Sequence, residues 1–366
     1  MVRDLTPLRD PIPADCLSLA DYERHALARM TPGTRAYIQG AGADGITREA
    51  NLAAWAGLRL LGRGLADMVG AHTRLSLVGC ALDHPILLAP CAWHGLVNPG
   101  GECETALGAA ATGTLMTVST QAGQSLEAIA ETPGPKWFQL YFQLRREDTL
   151  ALVRRAEAAG CLALVVTVDA AVNGIRNDEQ RAGFALPPGL SPVNLRGFAQ
   201  PVSRAAPGES PVFRGLLDHA PGWADLDWLR AETRLPLLLK GVMHPEDVER
   251  ALAAGIDGLI VSNHGGRVLD TLPATADILP RVVAQVAGRV PILCDGGIRR
   301  GTDVLKALAL GASAVLIGRP QLHALAVGGA PGVAHMLTIL RAELEVAMAL
   351  TGCRTLDAIG PGVLWA

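Results

Sequence analysis

The stretch VPILCDGGIRRGTDVLKALALGASAVLIGRP, Val290 to Pro320, decides the fold. An apolar run, VPILC, ends abruptly on Asp295, Gly296 and Gly297. A segment of helical period, GTDVLKALALG, follows, and a second apolar run, SAVLIG, closes on Gly318 and Arg319. Neither run alternates polar with apolar residues. Such strands are buried on both faces, as in a parallel sheet covered by helices.

The same rhythm extends backwards to about Pro85. PILLAPCA precedes GGECETALGAAATG, LMTVST precedes SLEAIAE, and KWFQLYF precedes EDTLALVRRAEAAG. LALVVTVD, LPLLLKG and DGLIVSN supply three further runs, each with a helical stretch behind it. Eight strand–helix units predict an α/β fold, a closed (β/α)8 TIM barrel rather than an open doubly wound sheet. The chain reads as a single domain over residues 1–366, with residues 1–84 as a helical N-terminal extension. Residues 184–223, rich in Pro, Gly and Ser, read as a mobile loop overhanging the active face. Gln321 to Leu350 reads as a final helix.

Composition narrows the function classes. Hydrophobic residues make up 49% and charged residues 18% of 366 residues, enough for a large core. A net charge of −3 and an aromatic content of 4% offer neither a basic footprint nor a stacking surface for nucleic acid. The seven cysteines are scattered with no CxxC pair, which reads as reduced thiols in a cytoplasmic protein. The N-terminus is charged and proline-broken, unlike a secretory signal, and no apolar run reaches the ~18 residues of a membrane span. GAGADG, Gly40 to Gly45, matches a dinucleotide-binding pattern by letter, but no strand precedes it, so it reads as a helix end.

In a barrel of this kind the C-terminal strand ends form the active face. Reading only those ends gives Ala92, Ser119, Gln139 with Tyr141, Thr167 with Asp169, and Lys240. Then come Ser262 with His264 and Arg267, Asp295 with Gly297, and Gly318 with Arg319. Taken singly, His264 is most simply a local hydrogen-bonder, Lys240 a snorkelling surface lysine and Asp169 a turn cap. Their joint occurrence at matched strand ends makes one polar basin. DGGIRRG and GRP stand where many barrels bind phosphate, with backbone N–H groups and arginine to hold a dianion.

At this level of detail the chain resembles the FMN-dependent (S)-2-hydroxy acid oxidases and dehydrogenases, which include glycolate oxidase, lactate oxidase, mandelate dehydrogenase and the flavin domain of flavocytochrome b2. WFQLYF, VTVDAAVNGIR, LLLKGV, VSNHGGRVLD, LCDGGIRRGTDVLKALALGASAVLIGRP and ALTGCRTL carry the likeness from about Thr31 to Leu356. The resemblance implies FMN as cofactor and His264 as active-site base, with Asp169 its carboxylate partner. It further implies that Arg267 and Arg176 hold the substrate carboxylate, that Tyr141 faces the substrate hydroxyl, and that Lys240 lies beside flavin N1. Ser119, Gln139, Thr167 and Ser262 match flavin-ring contacts, and Asp295, Gly297, Arg299, Gly318 and Arg319 match ribityl and phosphate contacts. Ala92 matches the backbone position near flavin N5, which favours oxygen over another electron acceptor. The family also implies a homotetramer.

Two departures bear on substrate. Aligning AYIQGAGAD to the family's N-terminal segment puts Ile38 where a second tyrosine would bind the substrate carboxylate, with Tyr37 one residue too early. Gln121 stands where plant glycolate oxidase has an aromatic residue, and VNGIR looks like the mandelate branch. The resulting expectation is an enzyme for 2-hydroxy acids with large or aromatic side chains. The alternatives are a specialised flavin oxidase of a biosynthetic pathway and a non-catalytic flavin-binding barrel.

Overall fold

The computed structural model describes residues 11–199, 205–217 and 220–365. Its N-terminal part is helical: α1 (Leu19–Arg29), α2 (Pro32–Gln39) and α3 (Ile46–Gly57). Ser18 caps α1 by accepting from Asp21 N–H, and Thr31 caps α2 through Thr34 N–H. A short antiparallel hairpin follows, β1 (Leu75–Leu77) and β2 (Cys80–Leu82).

Eight strands then close a parallel barrel: β3 (Ile86–Leu88), β4 (Met116–Ser119), β5 (Lys136–Leu140), β6 (Leu164–Thr167), β7 (Leu237–Lys240), β8 (Gly258–Val261), β9 (Ile292–Cys294) and β10 (Ala314–Ile317). Pairing of β10 with β3, Val315 opposite Ile86, completes the ring. The intervening helices are α4 (Gly101–Ala110), α5 (Leu126–Ala130), α6 (Arg146–Ala158), α7 (Asn177–Arg181), α8 (Trp223–Glu232), α9 (Pro245–Ala253), α10 (Thr275–Val286) and α11 (Gly301–Ala309). The (β/α)8 expectation therefore holds for the described chain.

The strands are apolar throughout because both faces are covered. Ile86 and Leu88 pack outward with the helices, while Leu87 points inward with Trp137, Val165, Leu238, Ile260, Leu293 and Leu316. Leu77, Cys80 and Leu82 of the hairpin join that inner cluster, so the hairpin plugs one end of the barrel. The opposite, C-terminal strand ends stay open. The last helix, α12, runs from Arg319 to Thr351 and breaks its regular geometry at Gly328 and Gly329. GAGADG follows the end of α2 with no strand before it, as its sequence context required.

Within the proline- and glycine-rich insert, the described residues form only short turns, over Val193–Leu195 and Val212–Leu216, and Trp223 already belongs to α8. Asn194 ties this segment down: its Oδ1 accepts from Leu126 N–H and Arg155, and its Nδ2 donates to Gln124 O. Among the described residues no helix is long and apolar enough to cross a membrane.

One carboxylate gathers three backbone donors of the N-terminal extension. Asp270, beyond β8, accepts from the backbone N–H groups of Asp44 and of Ile46 and Thr47, the first two residues of α3. Those N–H groups have no partner within the helix, and an anion also suits the positive end of its dipole. Burial raises the Asp270 carboxyl pKa, but the backbone donors outweigh it and the net shift is downward. A carboxyl with a lowered folded-state pKa stabilises above its unfolded value and loses that contribution as pH falls through the folded one. Asp270→Asn is therefore expected to destabilise by about 1–3 kcal/mol at pH 7, and the difference from wild type should shrink below pH ~4. Urea unfolding of both proteins across that range measures it.

Candidate active site

β8 runs out of the barrel into Ser262, Asn263 and His264, and the backbone there turns left-handed at three consecutive residues: φ is 55° at His264, 62° at Gly265 and 74° at Gly266. The last glycine is obligatory. A Cβ at Gly266 would lie 2.6 Å from Arg48 N, where the N-terminal extension presses against the turn. His264 tolerates the left-handed region because its N–H donates to Ser262 Oγ at 3.0 Å, which fixes the turn from inside the barrel. The ring is then set by Asp169, whose Oδ1 lies 2.9 Å from His264 Nδ1. Gly241 makes room for that carboxylate, since a Cβ there would come within 2.5 Å of Asp169 Cβ.

Lys240 is buried beside this pair. Its Nζ donates to Ser262 Oγ at 2.8 Å and meets Asp295 Oδ2 at 3.3 Å. Burial alone would discharge the ammonium, but Asp295 and Asp169 reverse that and its pKa ends above the ordinary lysine value. Burial likewise opposes ionisation of Asp169, yet Lys240 and His264 bring its carboxyl below the usual range. Burial pushes the Tyr141 hydroxyl up to about 12, so it faces the cavity as a neutral donor.

These groups border a cavity of about 1040 Å³ at the C-terminal mouth of the barrel. Ala92, Ser119, Gln139, Tyr141, Thr167, Arg176, Lys240, His264, Arg267, Asp295, Gly297, Arg299, Gly318 and Arg319 all line it. Two expected residues do not reach the wall. Asp169 stands behind His264, as its pairing role requires. Ser262 is wholly buried, and its hydroxyl accepts from Lys240 Nζ and His264 N–H, which positions those two.

Arg319 also differs from expectation. Its guanidinium donates to three carbonyls, Ile38 O at 3.1 Å, Gly265 O at 2.9 Å and Gly40 O at 2.8 Å. The side chain clamps the end of α2 to the His264 turn. What Arg319 offers an anion is its backbone at the start of α12, next to Gly318, where an added Cβ would meet nothing within 4 Å. Among the described residues the Arg299 guanidinium donates only to the adjacent Ile298 O, which leaves its charge free in this part of the wall.

The N-terminal slot is the clearest correction. Both residues border the cavity, but Ile38 is 2% exposed and packs mainly into the core, whereas the Tyr37 ring joins the aromatic wall. Tyr37 stacks on Phe184 with centroids 4.7 Å apart, meets Trp93 at 5.3 Å, and carries the Arg267 guanidinium 5.0 Å above its face. The two residues share helix α2, where neighbours point ~100° apart, so one step of register exchanges a ring in the aromatic wall for a side chain packed mainly in the core. The Gly-Ala repeat in GAGAD permits both alignments, which is how the sequence misled.

Three residues of the site had gone unread. Trp93 and Phe184 build the aromatic wall, and Trp93 adopts a left-handed φ of 55° to do so. Glu179 lies between Arg176 and Arg267, and its spacing of three from Arg176 on a helix was the available signal.

The cavity suits a flavin. Gln139 Nε2, Thr167 Oγ1 and Asp295 Oδ1 are buried at the C-terminal ends of β5, β6 and β9 without partners among the described residues. Such donors and acceptors around the mouth suit the polar pyrimidine edge of an isoalloxazine, and the Arg299–Gly318 corner suits a phosphate.

Comparison with known proteins agrees. Residues 26–366 match the family model for FMN-dependent dehydrogenase. An L-lactate oxidase of Alicycliphilus denitrificans is 49% identical over 352 residues, covering 96% of each chain. Glycolate oxidase 3 of Arabidopsis thaliana is 41% identical, covering 93% of this chain and 94% of its own. A solved mandelate oxidase bound to benzoyl-formic acid superposes with a TM-score of 0.86 at 39% identity, over 94% of this chain and 96% of the other. The chain belongs to the FMN-dependent dehydrogenase family and is an FMN-containing oxidoreductase of 2-hydroxy acids.

Proposed function

We propose that the protein oxidises small (S)-2-hydroxy monocarboxylic acids, L-lactate foremost, to their 2-keto acids with His264 as base. The observation that carries this is the 2.9 Å contact between His264 Nδ1 and Asp169 Oδ1 at the cavity wall. A carboxylate on Nδ1 assigns the proton to that nitrogen and leaves the Nε2 lone pair for the substrate. When Nε2 takes the substrate proton, Asp169 stabilises the imidazolium that forms. Arg176, Arg267 and the Tyr37 hydroxyl hold the substrate carboxylate, and neutral Tyr141 donates to the substrate oxygen. FMN, when bound, would supply the two-electron acceptor that this oxidation needs. Gln139, Thr167 and Asp295 would hold its ring, Arg299 and the start of α12 its phosphate, and Lys240 would keep a positive charge beside it.

The preference for lactate is supported by the relatives named L-lactate oxidase and by Tyr37 in the carboxylate shell. The expectation of a large or aromatic side chain rested first on Ile38 filling that shell, a premise that Tyr37 weakens. A reading in favour of aromatic acids keeps the Trp93–Phe184 wall, against which a ring could pack, and Gln121 in the same cavity where plant glycolate oxidase has an aromatic residue. Oxygen as the electron acceptor is supported by the relatives' description as oxidases and by Ala92 in the wall.

Anaerobic mixing with L-lactate should bleach the bound flavin faster than mixing with (S)-mandelate, followed by stopped-flow absorbance. His264→Asn should stay yellow yet bleach about 100- to 10,000-fold more slowly, the contribution of a positioned base. A near-normal rate in that variant would move the base elsewhere.

Tyr37 and Ile38 separate pocket from core. Tyr37→Phe should raise the apparent lactate constant about 10- to 100-fold, the loss of one hydrogen bond to a charged group, with the melting temperature unchanged. Ile38→Ala should instead destabilise by about 2–5 kcal/mol with lactate binding little altered. Steady-state kinetics and thermal unfolding of both variants decide between the two registers.

A further inference from the structure

Glu179, on the one-and-a-half-turn helix α7, is placed where a substrate-binding wall should be purely cationic. Its Oε1 lies 3.2 Å from Arg176 Nη1 and 3.3 Å from Arg267 Nη2, and its Oε2 lies 3.5 Å from Arg176 Nη1. All three side chains are only 16–18% exposed, so solvent screens them weakly. Two guanidinium groups alone would give this wall two positive charges. With the Glu179 carboxylate between them the net charge is one. The remaining donors are set by the same contacts: Arg267 Nη1 is spent on the carbonyls of Tyr37 and Gly40, and Arg176 Nε on Arg267 O. Arg176 Nη2 and Arg267 Nε keep no partner among the described residues, enough for one carboxylate.

We propose that Glu179 is a charge-setting residue that matches this subsite to monocarboxylic acids and discriminates against dianions such as 2-hydroxy dicarboxylates. The proposal rests on the carboxylate-binding role given above to Arg176 and Arg267. A monoanion held by the two forks finishes the site at zero net charge. A dianion leaves it negative, with its second carboxylate held in the same poorly screened cavity as Glu179. Specificity then comes from a repulsive element as much as from the attractive pair. Glu179 touches the arginines and not the reacting atoms, so it positions and tunes rather than catalyses.

The test titrates the FMN-loaded protein at fixed pH and ionic strength with pyruvate and with oxalate, read from perturbation of the flavin absorption spectrum. Glu179→Gln keeps the shape and one acceptor while removing the charge. It should raise affinity for oxalate relative to pyruvate by about tenfold or more, because each ligand charge feels the loss. Glu179→Asp keeps the charge, so its oxalate-to-pyruvate ratio should stay near wild type even where both affinities weaken. A merely structural glutamate would weaken both ligands together in both variants. Wild type that binds both ligands, with a ratio that Glu179→Gln leaves unmoved, overturns this proposal alone. Wild type that binds neither overturns the carboxylate-site reading and the proposal with it.

Discussion

The left-handed turn at His264 is the constraint on which the site depends. A strand of a closed barrel must stop where its neighbours stop, and β8 stops by reversing its backbone through His264, Gly265 and Gly266. That reversal is costly for a residue with a Cβ, and it is held from three sides. Ser262 fixes it from within, Asp169 fixes the ring, and the carbonyls of Gly265 and Gly266 bind Arg319 and Gly42 N–H of the N-terminal extension. The extension is thereby part of the active site. It carries Tyr37 on one face of α2 while its own end is clamped by Arg319 and Arg267.

Charge follows the same economy. Lys240 is paired with Asp295 and His264 with Asp169, and Arg176, Glu179 and Arg267 form a second group in the cavity wall. Buried ions need such partners, because an unpaired one would shift its pKa and discharge. The first group orients His264 and keeps Lys240 charged; the second carries a single net positive charge. The mouth of the barrel is accordingly assembled for one anionic substrate before it arrives.

Much of this could be read from the letters. The eight apolar runs gave the barrel because a strand buried on both faces has no polar alternation, and the groups at strand ends followed from barrel geometry. His264, Lys240 and Asp295 were legible for that reason. The protein partners of Ser262 and Arg319 were not legible, since sequence records where a side chain starts and not which carbonyl or ion captures it. Tyr37 and Ile38 differ by one step of register, which on a helix separates a ring in the aromatic wall from a side chain packed mainly in the core. Glu179 lay in a charged run, RNDEQR, that looks like a solvated helix face until the fold brings Arg267 against it from 88 residues away.

In the proposed reading one mouth, organised by the His264 turn, holds the acid by its carboxylate and delivers its proton to Nε2. A crystal structure of the FMN-loaded protein with pyruvate tests this directly. The keto oxygen is expected within hydrogen-bond distance of His264 Nε2 and Tyr141 Oη, and the carboxylate on Arg176, Arg267 and the Tyr37 hydroxyl. A carboxylate seated away from both arginines, or a ligand with no approach to His264, would contradict it.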